Sequence, residues 1–326
     1  MQVGLMVSAL AGMDPGDLAR TAESLEYDAL WVGELWHESG VVQLAEMARA
    51  TETVTLGSAV LNVFSRSPAV LAMTAASLQR ASDGRFVLGT GVSTQTAVED
   101  LHGQSFERPV RRAHETLAAV RAFCGEEESV SYDGELIGVE GFPGLDLDVP
   151  IYHAGLGPAN RRVVGRLADG WLPHNLPFSQ LETAFEEVAS AAREWDRDPD
   201  SITVAPYVPA VVNEDREAAL DVLRRHVAYY AGSGEGYRRA VGSVYPDVAA
   251  TVGERWEAGD REGAAAVVTD EVATDLGIAG PAAHVRERMH SLTDGIVDHP
   301  IVVVPLPASE AMATETITSL APASGP

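Results

Sequence analysis

Lysine is missing altogether: all 23 basic residues of this 326-residue chain are arginine, set against 48 Asp and Glu, for a net charge of −25. Without that amine the chain cannot be a Schiff-base aldolase, a pyridoxal-phosphate enzyme or a P-loop nucleotide hydrolase. The only cysteine is Cys124, which removes both a disulfide framework and a thiolate metal cluster. No His/Asp/Glu group has metal-ligand spacing, so no metal is expected. Aromatics are sparse at 6% against 46% apolar residues, which implies a core packed mainly with Ala, Val and Leu. No apolar run approaches membrane-spanning length and no basic-then-apolar leader opens the chain, so a cytoplasmic protein is expected. The acidic surface repels nucleic-acid phosphates and anionic lipid, and neither is an expected partner. Such a charge also repels itself in dilute buffer, whereas at molar salt the Debye length falls to about 3 Å. The composition reads as that of a halophile, an ordinary acidic protein being the alternative.

What is present is a rhythm. The apolar stretch VGLMVS (3–8) precedes DPGDLARTAESLEY (14–27), where Asp14 is placed as N-cap and Pro15 at the first helical position. DALWVGE (28–34), VTLGSAV (54–60) and RFVLGTG (85–91) are further strands, each followed by a helix, the last near 107–125. SVSYDGELIGVEGFPGLDLD then suggests a hairpin, an insertion at about 126–148. The alternation resumes with VPIYHAG (149–155), a helix from Pro158, DGWLPH (169–174), a helix over 179–195, and ITVAPYVPAVV (202–212). Residues 214–290 read as mostly helical, with an insertion at about 230–265, before an eighth strand in IVDHPIVVVP (296–305) and a terminal helix. Eight β-α units predict an α/β fold with a single (β/α)8 TIM barrel over residues 1–320, and a flexible tail at 321–326. In such barrels chemistry sits at the C-terminal strand ends, here Ser8, Glu34 to His37, Ala59 to Asn62, Gly91 to Thr94, His153 to Pro158 and Pro173 to Asn175.

Two of these ends carry recognisable chemistry. LGTGVS has two glycines of a G-x-G but Thr94 where a dinucleotide loop needs its third, and its helix begins too far downstream for a Rossmann turn. HAGLGPAN (153–160) frees backbone N–H groups at Gly155 and Gly157 and starts a helix at Pro158, an arrangement that favours an anion. Arg161 and Arg162 stand in that first turn, able either to meet a phosphate or to pair with surface carboxylates. His153 reads as a buried histidine satisfied by backbone, and His174 with Asn175 as a substrate-side pair.

The blocks YDALWVGE, ATETVTLGSAVLNVFSRSPAVLA, SDGRFVLGTG and YHAGLGPANRRVVGRLADGW together resemble the luciferase-like monooxygenase superfamily, and more narrowly its coenzyme F420-dependent branch. The resemblance runs from the first strand to about residue 175 and returns near the C-terminus in GIAGPAAHVRERMHSLTDGIVDHPIVVVP. It implies a non-prolyl cis peptide at Ala59–Val60 supporting one face of the ring. It further implies cofactor contacts from Ser8, Asn62, Gly91, Val92, Ser93 and Thr94, and a phosphate site at Ala154, Gly155, Leu156, Gly157, Pro158 and Arg161. The chain departs from the branch where acid-base groups are expected: Glu34 replaces Asp, Leu35 replaces His, and Thr94 falls at or near the acidic position. Glu34 and His37 remain as candidate catalytic groups, Glu34 as acid if burial raises its pKa, and His37 as proton donor or as a solvated loop histidine.

These readings imply an F420-dependent oxidoreductase that moves a hydride to or from a small organic substrate and assembles as a homo-oligomer, a dimer being simplest. An FMN-dependent monooxygenase and a cofactor-binding barrel without chemistry are the alternatives. A sugar-phosphate isomerase is disfavoured, because its phosphate is expected after strands seven and eight. If self-repulsion limits stability, the melting temperature will rise by several degrees between dilute buffer and molar KCl; a flat or falling salt dependence in thermal melts would refute the halophilic reading.

Overall fold

The computed structural model describes residues 2–7, 14–35 and 38–322. The expectations for Ser8, Trp36 and His37, and for the last four residues of the tail, lie outside the described residues. Strand and helix alternate as β1 (Gly4–Met6), α1 (Pro15–Ser24), β2 (Ala29–Val32), α2 (Gly40–Ala50), β3 (Thr55–Ser58), β4 (Leu61–Asn62), α3 (Pro68–Ala81), β5 (Phe86–Gly91) and α4 (Pro109–Cys124). An antiparallel hairpin of β6 (Val130–Asp133) and β7 (Gly138–Phe142) follows, then β8 (Ile151–Ala154), α5 (Pro158–Leu167), β9 (Gly170–Trp171), α6 (Leu181–Arg193), β10 (Thr203–Val204) and β11 (Tyr207–Val212). The helices α7 (Arg216–Ser233), α8 (Glu235–Gly242), α9 (Pro246–Glu257), α10 (Arg261–Ala266) and α11 (Asp270–Leu276) lead to β12 (Ile278–Gly280), α12 (Ala282–Thr293), β13 (Ile301–Val303) and α13 (Glu310–Ser319). Among the described residues no helix is long and apolar enough to cross a membrane.

Helix starts are set locally. The Asp14 carboxylate accepts from the Asp17 N–H at 2.9 Å ahead of Pro15, and Ser67 accepts from Val70 ahead of Pro68. The parallel sheet runs β10-β9-β8-β5-β3-β2-β1-β13-β11-β12. Its members β10 and β11 are parts of one stretch, interrupted at Ala205 and Pro206. Thr203 donates to the Asp169 carbonyl on one side, while Ile301 donates to the Pro206 carbonyl on the other, so the sheet curls round onto itself as a (β/α)8 barrel. Outward-facing Leu, Val and Ala side chains pack under the helices. Met6, Trp31, Val87, Leu172, Ala205, Tyr207 and Val303 share a separate cluster inside the barrel.

Three boundaries differ from the sequence expectation. The third strand stops at Ser58, the Ala59–Val60 peptide is cis, and the chain resumes as β4, now paired with Thr90 and Gly91 of β5. The seventh strand is divided, because a proline at 206 cannot donate to a ladder. The stretch 214–290 is not helical throughout: β12 pairs in parallel with Ala210–Val212 of β11. Its three residues are too few to show a period in the sequence.

A buried carboxylate ties the hairpin to α4, beside the Arg108–Glu135 ion pair and the stacked rings of Phe123 and Phe142. Glu115, on α4, is fully buried and accepts the N–H groups of Glu135, Leu136 and Ile137 at 2.9, 2.8 and 3.0 Å, while pairing with Arg111. Burial pushes its carboxyl up, and these donors outweigh that and hold it below the ordinary carboxylate range. Glu115→Gln should therefore leave the barrel intact but cost about 2 kcal/mol, the scale of charged hydrogen bonds. Urea unfolding and faster exchange of the 135–137 amides measure this; unchanged exchange would refute it.

Candidate active site

Because side chains alternate along a strand, each strand end offers its inward position to the barrel mouth. On the third to fifth strands these positions are small: Ala59, Gly91 and Ala154. A Cβ on Gly91 would lie 2.7 Å from Val60 Cγ2, and one on Gly89 would lie 1.8 Å from the Ser58 carbonyl oxygen, so the wall is packed backbone to backbone. Ser58 bridges the interruption: its hydroxyl donates to the Gly89 carbonyl at 2.8 Å and accepts from the Gly89 N–H at 2.9 Å. Below, Trp31 fills the barrel and donates from Nε1 to His299 Nε2 at 3.2 Å.

The turn after β8 is fixed from beneath. Trp171 Nε1 donates to the Gly155 carbonyl at 2.8 Å. His153, fully buried, has Nδ1 2.9 Å from the Thr90 hydroxyl and Nε2 3.4 Å from the Asn160 side-chain oxygen. These side chains add to the backbone partner that was expected, supplied by Thr90. α5 begins at Pro158 without a capping side chain; the Asn160 and Arg161 N–H groups turn back onto the Gly157 carbonyl, and the Ala159 N–H is left for solvent or an anion. Leu156 is half-buried, and Gly157 and Pro158 are exposed.

Several predicted site residues are committed elsewhere. The Asn62 oxygen accepts from Phe64 and Ser65 N–H groups at 2.9 and 2.7 Å, and its nitrogen lies 3.1 Å from His102 Nε2, so its amide closes the loop after β4. Arg161 contributes backbone to the turn, accepted by the Gly157 carbonyl, but its guanidinium reaches toward Glu187 on α6 at 3.5 Å; Arg162 is exposed. Val92, Ser93 and Thr94 are half-buried beyond β5, with Ser93 at φ 61° and Thr94 accepting from the Ala97 N–H at 3.2 Å.

Glu34 is gripped by Arg66 through both carboxylate oxygens and accepts the Gly40 N–H at 2.9 Å, at the start of α2. Burial pushes its carboxyl up, but the guanidinium beside it and the Gly40 donor hold it below the ordinary value. At neutral pH Glu34 is an acceptor, and the condition under which it would serve as an acid is not met. The Arg66 partner escaped sequence reasoning, as did Thr90, Asn160 and Trp171. Only the polar or aromatic character of residues next to strand ends could have signalled them.

Past β9 stands His174, and at the start of β11 Tyr207, both buried, their rings 4.7 Å apart. Among the described residues no three His, Cys, Asp or Glu side chains converge to hold a metal.

The luciferase-like monooxygenase family model matches residues 13–299 of the chain. A putative coenzyme F420-dependent oxidoreductase of Mycobacterium tuberculosis is 28% identical over 319 residues, covering 89% of this chain and 91% of the relative. A 5,10-methylenetetrahydromethanopterin reductase of Methanolobus tindarius is 30% identical over 284 residues, covering 85% of each. In fold, the coenzyme F420-dependent tetrahydromethanopterin reductase of Methanopyrus kandleri superposes with a TM-score of 0.80 at 22% identity, over 98% of this chain and 97% of the other.

Burial holds His153 neutral, pushed down to about 4, and does the same for His226 and His299. An unfolded imidazole takes its proton near pH 6.5, so between these values the unfolded state binds more protons and stability falls as the pH is lowered. Folding free energy should hold above about pH 6.5 and decline steadily toward pH 4, by roughly 3 kcal/mol for His153 alone. Urea titrations across this range should show a shallower decline for His153→Gln; an unchanged slope would refute the assignment.

Proposed function

The chain belongs to the luciferase-like monooxygenase family, and from that membership we propose that it is an F420-dependent oxidoreductase acting on a small organic substrate. The observation that carries this reading is the pairing of a wall of small strand ends, Ala59, Gly91 and Ala154, with a backbone turn at 155–158 whose helix offers uncapped N–H groups. The F420-dependent relatives support the choice of cofactor.

The residues present fit that group. Gly91 and Ala154 leave room for a flat ring to approach the strand backbones, and a Cβ on Gly155 would press on Asn160 at 3.0 Å, so the turn keeps its shape only with glycine there. With no lysine and with Arg161 drawn toward Glu187, phosphate recognition falls to the backbone N–H groups of Leu156, Gly157 and Ala159 and the positive end of α5. When bound, F420 supplies a carbon that accepts or releases a hydride. The protein supplies position and a dry site: Trp171 and His153 hold the turn, while Trp31 closes the barrel beneath. Glu34 holds Arg66 and the start of α2, and so shapes the second strand's loop rather than donating a proton. His37, two residues beyond Leu35 in the sequence, is the proposed proton donor.

In molar KCl, titrations followed by fluorescence quenching should show saturable binding of F420 in preference to FMN. Gly155→Val should weaken F420 binding about tenfold or more, the equivalent of losing one charged hydrogen bond to the phosphate. Preference for FMN would move the protein to flavin chemistry, and binding of neither would refute the oxidoreductase reading.

A further inference from the structure

Across the mouth from the small-residue wall, the barrel changes character. His174 and Tyr207 end the sixth strand and begin β11, and α7 and α8 bring His226, Tyr230 and Tyr237 onto them. The His174 ring lies 4.7 Å from Tyr207, 4.4 Å from Tyr230 and 5.4 Å from Tyr237, and the His226 ring lies 4.8 Å from Tyr230. Tyr207 belongs to the barrel-interior cluster against which Ala59, Val60 and Ala154 pack, so this group and the small wall face one interior.

The polar atoms here are the telling feature. His174 Nε2, His226 Nε2, the Tyr207 hydroxyl and both amide atoms of Asn175 are buried without a hydrogen-bond partner among the described residues. None of these four residues is more than 9% exposed. Native structures rarely leave buried donors and acceptors unpaired, and several together mark a place shaped for a polar guest. The groups that act on these rings are one another: His226 on His174, and Tyr230 and Tyr237 on Tyr207, with no carboxylate or guanidinium among them. Burial holds both imidazoles neutral. A phosphate or carboxylate would be buried here without a cation, and an ammonium without an anion, each at high cost.

We propose that this cluster forms the substrate subsite and that it takes an uncharged alcohol or its carbonyl counterpart, whose oxygen is held by Tyr207 OH and His174 Nε2. The inference rests on the oxidoreductase reading above. A hydroxyl both donates and accepts, and so do a phenol and a neutral imidazole, so the pair serves the alcohol and the carbonyl alike. Tyr230 and Tyr237 supply the flat apolar surface that covers the substrate's carbon skeleton. The helical segment after the seventh strand thereby becomes the specificity element of the site.

The test uses the protein loaded with F420, loading being measured first by titration. Short secondary alcohols and ketones are then compared with carboxylates and phosphate esters of similar size, following the 15N imidazole resonances of His174 and His226. The uncharged panel should give saturable shifts and the anions none. Tyr207→Phe and His174→Phe should each raise the ketone Kd about tenfold, the effect of one hydrogen bond lost, with F420 affinity changed less than twofold. Normal F420 loading with no shift from the uncharged panel, saturable shifts from the anions, or unchanged ketone affinity in both variants would overturn the proposal. Failure to load F420 at all would overturn the oxidoreductase reading, and this inference with it.

Discussion

Closure of the parallel sheet through the stretch 203–212 is the constraint on which the site depends. Once Thr203 is bonded to the sixth strand and Ile301 to Pro206, every strand has a fixed inward and outward parity. That parity puts Gly91, Ala154, His174 and Tyr207 on one interior, although they are spread over more than a hundred residues of chain. A slip of one residue in any strand would exchange an inward side chain for one that packs under the helices. The reciprocal hydrogen bonds between Ser58 and Gly89 hold β3 and β5 in register where the third strand is interrupted.

Charge is divided between the two ends of the barrel. At the lower end arginines serve as structural clips on backbone carbonyls. Arg85 donates to Thr51 and Val54, Arg121 to Leu167, and Arg197 to Gly165 and Ala168. The last three of these carbonyls close α5, where a cation also meets the negative end of the helix. A planar guanidinium with several donors can satisfy two such oxygens at once, which a lysine could not do in a fixed geometry. At the mouth the balance is reversed: Glu34 and Arg66 neutralise one another, and the remaining site groups are backbone N–H, neutral imidazole and phenol. An acidic protein of net charge −25 thus presents a nearly uncharged interior.

The two halves of the mouth differ in material for a physical reason. A flat ring needs close approach, which only Gly and Ala allow at the ends of the third to fifth strands. In the reading proposed above, a smaller substrate takes its enclosure and hydrogen bonds from His, Tyr and Asn at the sixth and seventh strands together with α7 and α8. The alcohol and carbonyl assignment extends this asymmetry to chemistry, since neutral donors and acceptors discriminate against charge as firmly as they recognise oxygen.

By itself the sequence determined what is local. The cap at Asp14, Pro158 at the start of α5, the hairpin around Asp133 and Gly134, and the order of β-α units all follow from neighbours a few residues apart, where capping and periodicity act. Through that order it also located the strand ends at which the site is proposed. Only the tertiary structure decided what each side chain there does. Arg161 turns toward Glu187, Asn62 closes its own loop, and Glu34 is claimed by Arg66 thirty-two positions away. His174 meets Tyr207 and His226 through three different elements, and β12 exists because β11 has a free edge for it. Partner choice and burial are long-range quantities, fixed by how the strands close, and no window of sequence contains them.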